Sequence, residues 1–194
     1  MKRIERKLGE LSDNNQKAFV GYIVAGDPDL ETSLDLMHLS VDSGVDILEI
    51  GVPFTDPIAE GPTIQQAHDR SLENGTNLKK IVDLVGRFRE KDTDTPIILM
   101  GYINNFLTYK DLINRSHELG IDGVLVVDIP GELSLKDYLS SAKSSLAVLV
   151  TADYLDIEEN LIFWETIYNN YTEEFKDNTY SVSYTHLRAH ETCV

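Results

Sequence analysis

Short, nearly unbroken apolar runs alternate with longer segments of helical periodicity along most of this chain, and no other feature restricts its fold so much. The runs are 19–24 (FVGYIV), 46–52 (DILEIGV), 96–102 (PIILMGY), 123–129 (GVLVVDI) and 146–150 (LAVLV). Runs without polar alternation belong to strands covered on both faces, as in a parallel sheet flanked by helices. Between the first two, Leu30, Leu34, Met37 and Val41 share one face of a helix that Gly44 can terminate. Ile81, Leu84, Val85 and Phe88 form a second such face, and 109–119 reads as a helix ending at Gly120. Regular strand-then-helix order implies parallel strands joined by right-handed crossovers. Both an open doubly wound sheet and a (β/α)8 barrel satisfy that order. The first strand-to-helix turn, Ala25-Gly26-Asp27-Pro28, lacks the glycine fingerprint of dinucleotide-binding sheets. Polar residues at strand ends (Asp27, Glu49, Asp56, Tyr102 and Asp128) lean towards the barrel, whose chemistry is built at that rim.

At 194 residues the chain suits one sizeable core. Its 33 acids against 17 bases leave a formal charge of −16, which repels nucleic acid and anionic lipid, so neither is expected as a partner. Cys193 is the sole cysteine, which excludes an internal disulfide framework and a cysteine-based zinc site; no metal is expected. The basic residues at the start precede no apolar run, and no stretch approaches membrane-spanning length, so a cytoplasmic protein is expected. After Val150 the pattern changes. Residues 151–180 are acidic and aromatic without a convincing sixth strand, and 181–194 read as a non-native tail. The expected organisation is a partial barrel domain over 1–150, followed by those two segments.

Two carboxylates carry the chemistry in 48–61 (LEIGVPFTDPIAEG). Glu49 lies within a strand among Ile47, Leu48, Ile50 and Val52. It either points into a strand-end site, is buried with a partner and a raised pKa, or faces solvent near the strand end. The first two suit a general acid–base group. Glu60 follows a loop stiffened by Pro53 and Pro57, and a second carboxylate beside the first is what two proton movements need. By itself Glu60 would read as a solvated loop acid.

The same segment resembles the signature of the tryptophan synthase alpha family. AGDP at 25–28, GPTIQ at 61–65, MGY at 100–102 and VDIP at 127–130 fall in that family's order and spacing, over about residues 17–150. The resemblance implies an incomplete (β/α)8 barrel with about five βα units. It also implies a carbon–carbon lyase that splits indole-3-glycerol phosphate into indole and glyceraldehyde 3-phosphate in tryptophan biosynthesis. Glu49 would then be the acid–base catalyst, protonating the indole carbon that bears the glycerol chain and helping to draw the adjacent hydroxyl proton. Glu60, where the family usually has aspartate, would stabilise positive charge on the indole nitrogen, on an arm about 1.5 Å longer. Tyr22, Met100 and Tyr102 would line the indole pocket, although core packing accounts for each as well. Pro53, Phe54, Asp56 and Pro57 would meet the beta subunit of an alpha2beta2 complex, and Asp128 would support that coupling. No cofactor is implied for this chain, since pyridoxal phosphate belongs to the beta subunit. The histidines receive no role.

The family's phosphate-binding loops follow later strands, and no glycine-rich cradle follows Gly131. The chain is therefore expected to be a truncated copy, inactive by itself. Two alternatives stay open: a module that only contacts the beta subunit, and a different phosphate-substrate barrel lyase or isomerase.

Overall fold

The computed structural model describes residues 3–109 and 112–128 and the backbone of 145–148. Five strands, β1 (Val20–Val24), β2 (Ile47–Gly51), β3 (Ile97–Gly101), β4 (Gly123–Val126) and β5 (Ser145–Val148), form one sheet. All four pairings are parallel and the spatial order is the chain order. A doubly wound sheet must reverse its strand order at a switch point. This sheet has no reversal, so the order selects the barrel-type arrangement of the two that the sequence allows. Within the described residues it is an incomplete (β/α)8 barrel, with β1 and β5 at its edges.

The strands bury different residues on their two faces. Leu48, Ile50, Ile97, Leu99, Val124 and Val126 point towards the helices and join Met37, Ile81, Leu84, Val85 and Phe88 in the main core. The helical residues come from α2 (Leu30–Asp42) and α4 (Leu78–Arg89), whose faces match the sequence periodicity. Asp29 and Asn77 start these helices by accepting the amides of Thr32 and Lys80 on their side chains. Gly44 ends the first with φ 100°, a conformation glycine adopts without steric cost. The opposite face carries a smaller cluster of Met100, Tyr102, Leu125 and Val127, packed with Tyr22, Phe54, Ala59 and Ile98.

Four further helices complete the described elements. Residues 3–13 form α1 (Arg3–Asp13), and residues 62–73 form α3 (Pro62–Glu73) directly after the Glu60 loop. The stretch read as one helix over 109–119 contains instead α6 (Leu112–Arg115), preceded by the separate α5 (Ile103–Leu107). Asp128 starts α5 early by accepting the Ile103 amide at 2.6 Å. Gly120, with φ 79° and its carbonyl engaged by Arg89, ends the turn after α6. The segments 151–180 and 181–194 lie outside the described residues.

Candidate active site at the carboxyl rim

Glu49 pairs in register with Tyr22 on β1 and Ile98 on β3, both members of the inner-face cluster. Its strand neighbours Leu48 and Ile50 face the helices, so strand alternation turns Glu49 inwards. It is 7 % exposed, which removes the solvent-facing reading. Gly51, two positions on, leaves the space that the Tyr22 ring and hydroxyl occupy; a Cβ there would collide with both.

The chain then leaves the sheet through the loop 52–61. Pro53 and Pro57 are buried, whereas Thr55, Asp56 and Ile58 face outwards. The loop is tied from several sides. Asn105 donates to the Pro53 carbonyl at 3.1 Å. The Gln65 amide donates to the carbonyls of Pro57 and Glu60 at 3.3 and 3.0 Å. Phe54 stacks on Tyr102 with centroids 4.7 Å apart. Gly61 and Pro62 then open α3, proline being suited to a first helical turn where no amide bond is lost.

Glu60 is brought back over the inner face by this loop, with its side chain 7 % exposed. The Tyr102 hydroxyl donates to Glu60 Oε2 and accepts the Ala59 amide at 2.9 Å. His68, two turns into α3 and fully buried, presents Nε2 to Glu60 Oε1 at 3.7 Å. Its Nδ1 accepts the Phe54 amide at 2.9 Å. Burial raises the Glu60 pKa above the usual carboxylate range, and the Tyr102 hydrogen bond opposes that rise. Burial also lowers the His68 pKa below its ordinary value. The Tyr22 hydroxyl is made a much weaker acid, first by burial and then by the negative charges of Glu60 and Glu49. Both carboxylates therefore act on one hydroxyl. Tyr102 is weakened as an acid by burial and by its bond to Glu60.

The structure thus brings Glu49, Glu60, Tyr22, Met100 and Tyr102 together on one face of the sheet. Tyr102 does more than line it, because its hydroxyl holds Glu60. Asp128 touches the site indirectly: its carboxylate holds the amide of Ile103, next to Tyr102. Of the four loop residues assigned to a partner, Asp56 is exposed, while Pro53, Phe54 and Pro57 pack inwards. Asp27 is engaged by Arg70 through two bonds of 2.7 and 2.8 Å, holding a turn. Sequence reasoning missed His68. The hint was its place on the α3 face that starts two residues after Glu60, a face with too few apolar residues to announce itself.

Comparison with known proteins agrees with this geometry. The family model described as tryptophan synthase alpha chain matches residues 8–159. The tryptophan synthase alpha chain of Neisseria gonorrhoeae is 48% identical over 134 residues, covering 68% of this chain and 51% of that protein. That of Marinobacter nauticus is 46% identical over the same length, covering 68% and 50%. The chain spans about half the length of the curated relatives it matches. Among solved structures, the crystal structure of tryptophan synthase subunit alpha from Legionella pneumophila superposes with a TM-score of 0.65 at 31% identity. That match covers 86% of this chain and 74% of the other. A chain of the tryptophan synthase complex from Pyrococcus furiosus gives 0.62 at 35% identity, over 69% and 56% of the two chains. A strand order without reversal, two inward carboxylates at the carboxyl rim and a family match over most of the sequence lead to one assignment: the chain belongs to the tryptophan synthase alpha chain family.

Proposed function

We propose that the complete protein is a lyase that cleaves indole-3-glycerol phosphate to indole and glyceraldehyde 3-phosphate. The observation that carries this reading is the pair of buried carboxylates, Glu49 and Glu60, both acting on the Tyr22 hydroxyl over an apolar floor of Met100 and Leu125. An indole ring suits such a floor, and the cleavage needs only proton movements beside it. Protonation of the ring carbon that bears the glycerol chain turns the indole into a cation with its charge on nitrogen. Glu60, as a carboxylate, stabilises that cation. Removal of the proton from the adjacent hydroxyl then forms a carbonyl and breaks the carbon–carbon bond, whose electron pair returns to the ring. One proton enters and one leaves, so Glu49 can serve as acid and then base without a cofactor. The outward residues Thr55, Asp56 and Ile58, the last 81 % exposed, offer the loop's free edge to a beta subunit in an alpha2beta2 assembly. A cytoplasmic setting fits this chemistry, and no helix among the described residues is long and apolar enough to cross a membrane.

Indole release from indole-3-glycerol phosphate by the protein expressed over its whole reading frame tests the reading. Glu49→Gln should lower kcat by about 10²-fold or more while changing KM little. A variant within a few-fold of wild type would sink the acid–base assignment. Stimulation of a beta subunit without any indole release would leave only a coupling role.

A further inference from the structure

His68 and Glu60 present two buried polar atoms to each other, His68 Nε2 and Glu60 Oε1, and neither has a hydrogen-bond partner among the described residues. The ring's protonation pattern follows from its other nitrogen. Nδ1 accepts the Phe54 amide, so it carries a lone pair and no proton. A fully buried imidazole is neutral, and its single proton must then be on Nε2, directed at Glu60. The separation of 3.7 Å exceeds a normal hydrogen bond by about 0.8 Å. Such catalytic-site bonds commonly tighten only when substrate is bound.

We infer that His68 is a positioning residue for Glu60: its Nε2–H and the Tyr102 hydroxyl grip the two carboxylate oxygens and aim the group at the reacting ring. The inference rests on the functional reading above for the identity of that ring. The contact itself does not depend on it. One ring also joins both limbs of the loop, because Phe54 lies at the loop's start and Glu60 at its end. A displacement that pulls the Phe54 amide away frees Nδ1 to take the proton, and Glu60 then loses its second donor. Loop position is thereby converted into the number of donors on the carboxylate.

The groups facing this pair are Tyr102 after β3 and Tyr22 on β1, whose hydroxyl also feels Glu49 on β2, with Asp69 beside His68 on α3. Long-range proton–nitrogen NMR spectra of the histidine rings test the contact directly. The expected result is the Nε2–H tautomer at neutral pH and a shifted His68 Nε2 resonance in Glu60→Gln. An Nδ1–H tautomer, or an unchanged His68 ring in that variant, would overturn the inference. Kinetics of indole release by the full-length protein test the consequence. His68→Gln can place an amide N–H near Nε2 and should keep kcat within about threefold. His68→Asn can still accept the Phe54 amide, but its own N–H stops short of Glu60, and it should lose about tenfold in kcat with KM unchanged. The acid limb of the His68→Asn pH profile should also move to higher pH, because a carboxylate that loses a donor binds its proton more tightly. Equal losses in both variants with an unmoved acid limb would reduce His68 to a packing residue. If the wild-type full-length protein releases no indole, the functional reading fails and the NMR result alone decides whether His68 holds Glu60.

Discussion

At the amino end of the strands, Asp122 stands just before β4 with its charge fully engaged. One oxygen accepts Arg3 at 2.9 Å; the other accepts Arg89 at 3.0 Å and the Ile97 amide at 2.9 Å. Arg89, only 11 % exposed, spends its remaining donors on the carbonyls of Gly120, Thr95 and Asp92. Burial, with Arg3 as a like charge nearby, pushes its pKa down to about 10, so it stays charged at neutral pH. At the carboxyl end, by contrast, Tyr22 Oη, Glu60 Oε1 and His68 Nε2 are buried without a hydrogen-bond partner among the described residues. The two rims bury comparable charge, yet one is saturated and the other keeps unused capacity. Saturation fixes the bottom of the sheet. Unused donors and acceptors are what a polar substrate needs to find, which agrees with the stability and active-site faces of barrel folds.

That contrast can be broken most easily at Asp122. Asp122→Ala leaves the Arg89 guanidinium buried beside Arg3 with its main counter-charge gone, and should cost about 3–5 kcal/mol of stability. Glu60→Ala removes an incompletely satisfied buried carboxylate and should cost far less, or stabilise the fold. Denaturant midpoints at constant m measure both, and equal losses would erase the distinction between the rims.

Activity sharpens the comparison from the other side. In the full-length protein Glu60→Asp should retain measurable indole release, whereas Glu60→Ala should fall by a further factor of about 10². Equal rates in the two variants would show that Glu60 is only a loop acid.

The smallest effect is a pH dependence with two opposed contributions. Glu60 has a folded pKa above its ordinary 4.5, so the native state holds more protons between these values and stability falls as pH rises through that window. His68 has a folded pKa below its ordinary 6.5, so the unfolded state holds more protons there and stability rises with pH towards 6.5. Glu60→Gln should therefore make stability increase more steeply with pH up to about 6.5 than in wild type. His68→Asn should do the reverse. Stability curves that coincide across this range would show that neither group has the shifted protonation its burial implies.

Much of this arrangement was legible because apolar periodicity records which faces meet the core. The runs around Ile23, Ile50, Leu99 and Val124 became strands, and the faces of Met37 and Phe88 became the helical side of the main core. Glu49 was legible for a related reason, as a charge among residues that all proved buried. The reading failed where burial is not apolar. The buried residues of α3 are Ala67, His68 and Ser71, which present no hydrophobic stripe, so the part its histidine plays in the site stayed hidden. Strand order leaves no local signature, because the same alternation serves an open sheet and a barrel. The broken stretch after Tyr102 depends on Asp128 and Arg89, partners distant in sequence that no local pattern reveals.

Helix α3 is anchored at its far end as firmly as at its start. Arg70 grips Asp27, the Ser71 hydroxyl donates to the Ala25 carbonyl at 2.6 Å, and Asn74 reaches the Pro28 carbonyl. The turn after β1 and the loop after β2 are thus fastened to opposite ends of one rod, and neither can open alone if that rod lifts. In hydrogen-exchange terms they form a single cooperative unit. The Phe54 amide, held by His68, and the Thr76 amide, held by the Ser71 carbonyl, should exchange with the same opening free energy. The loop that carries Glu60 then has the lifetime of the first βα unit and not that of an ordinary surface loop.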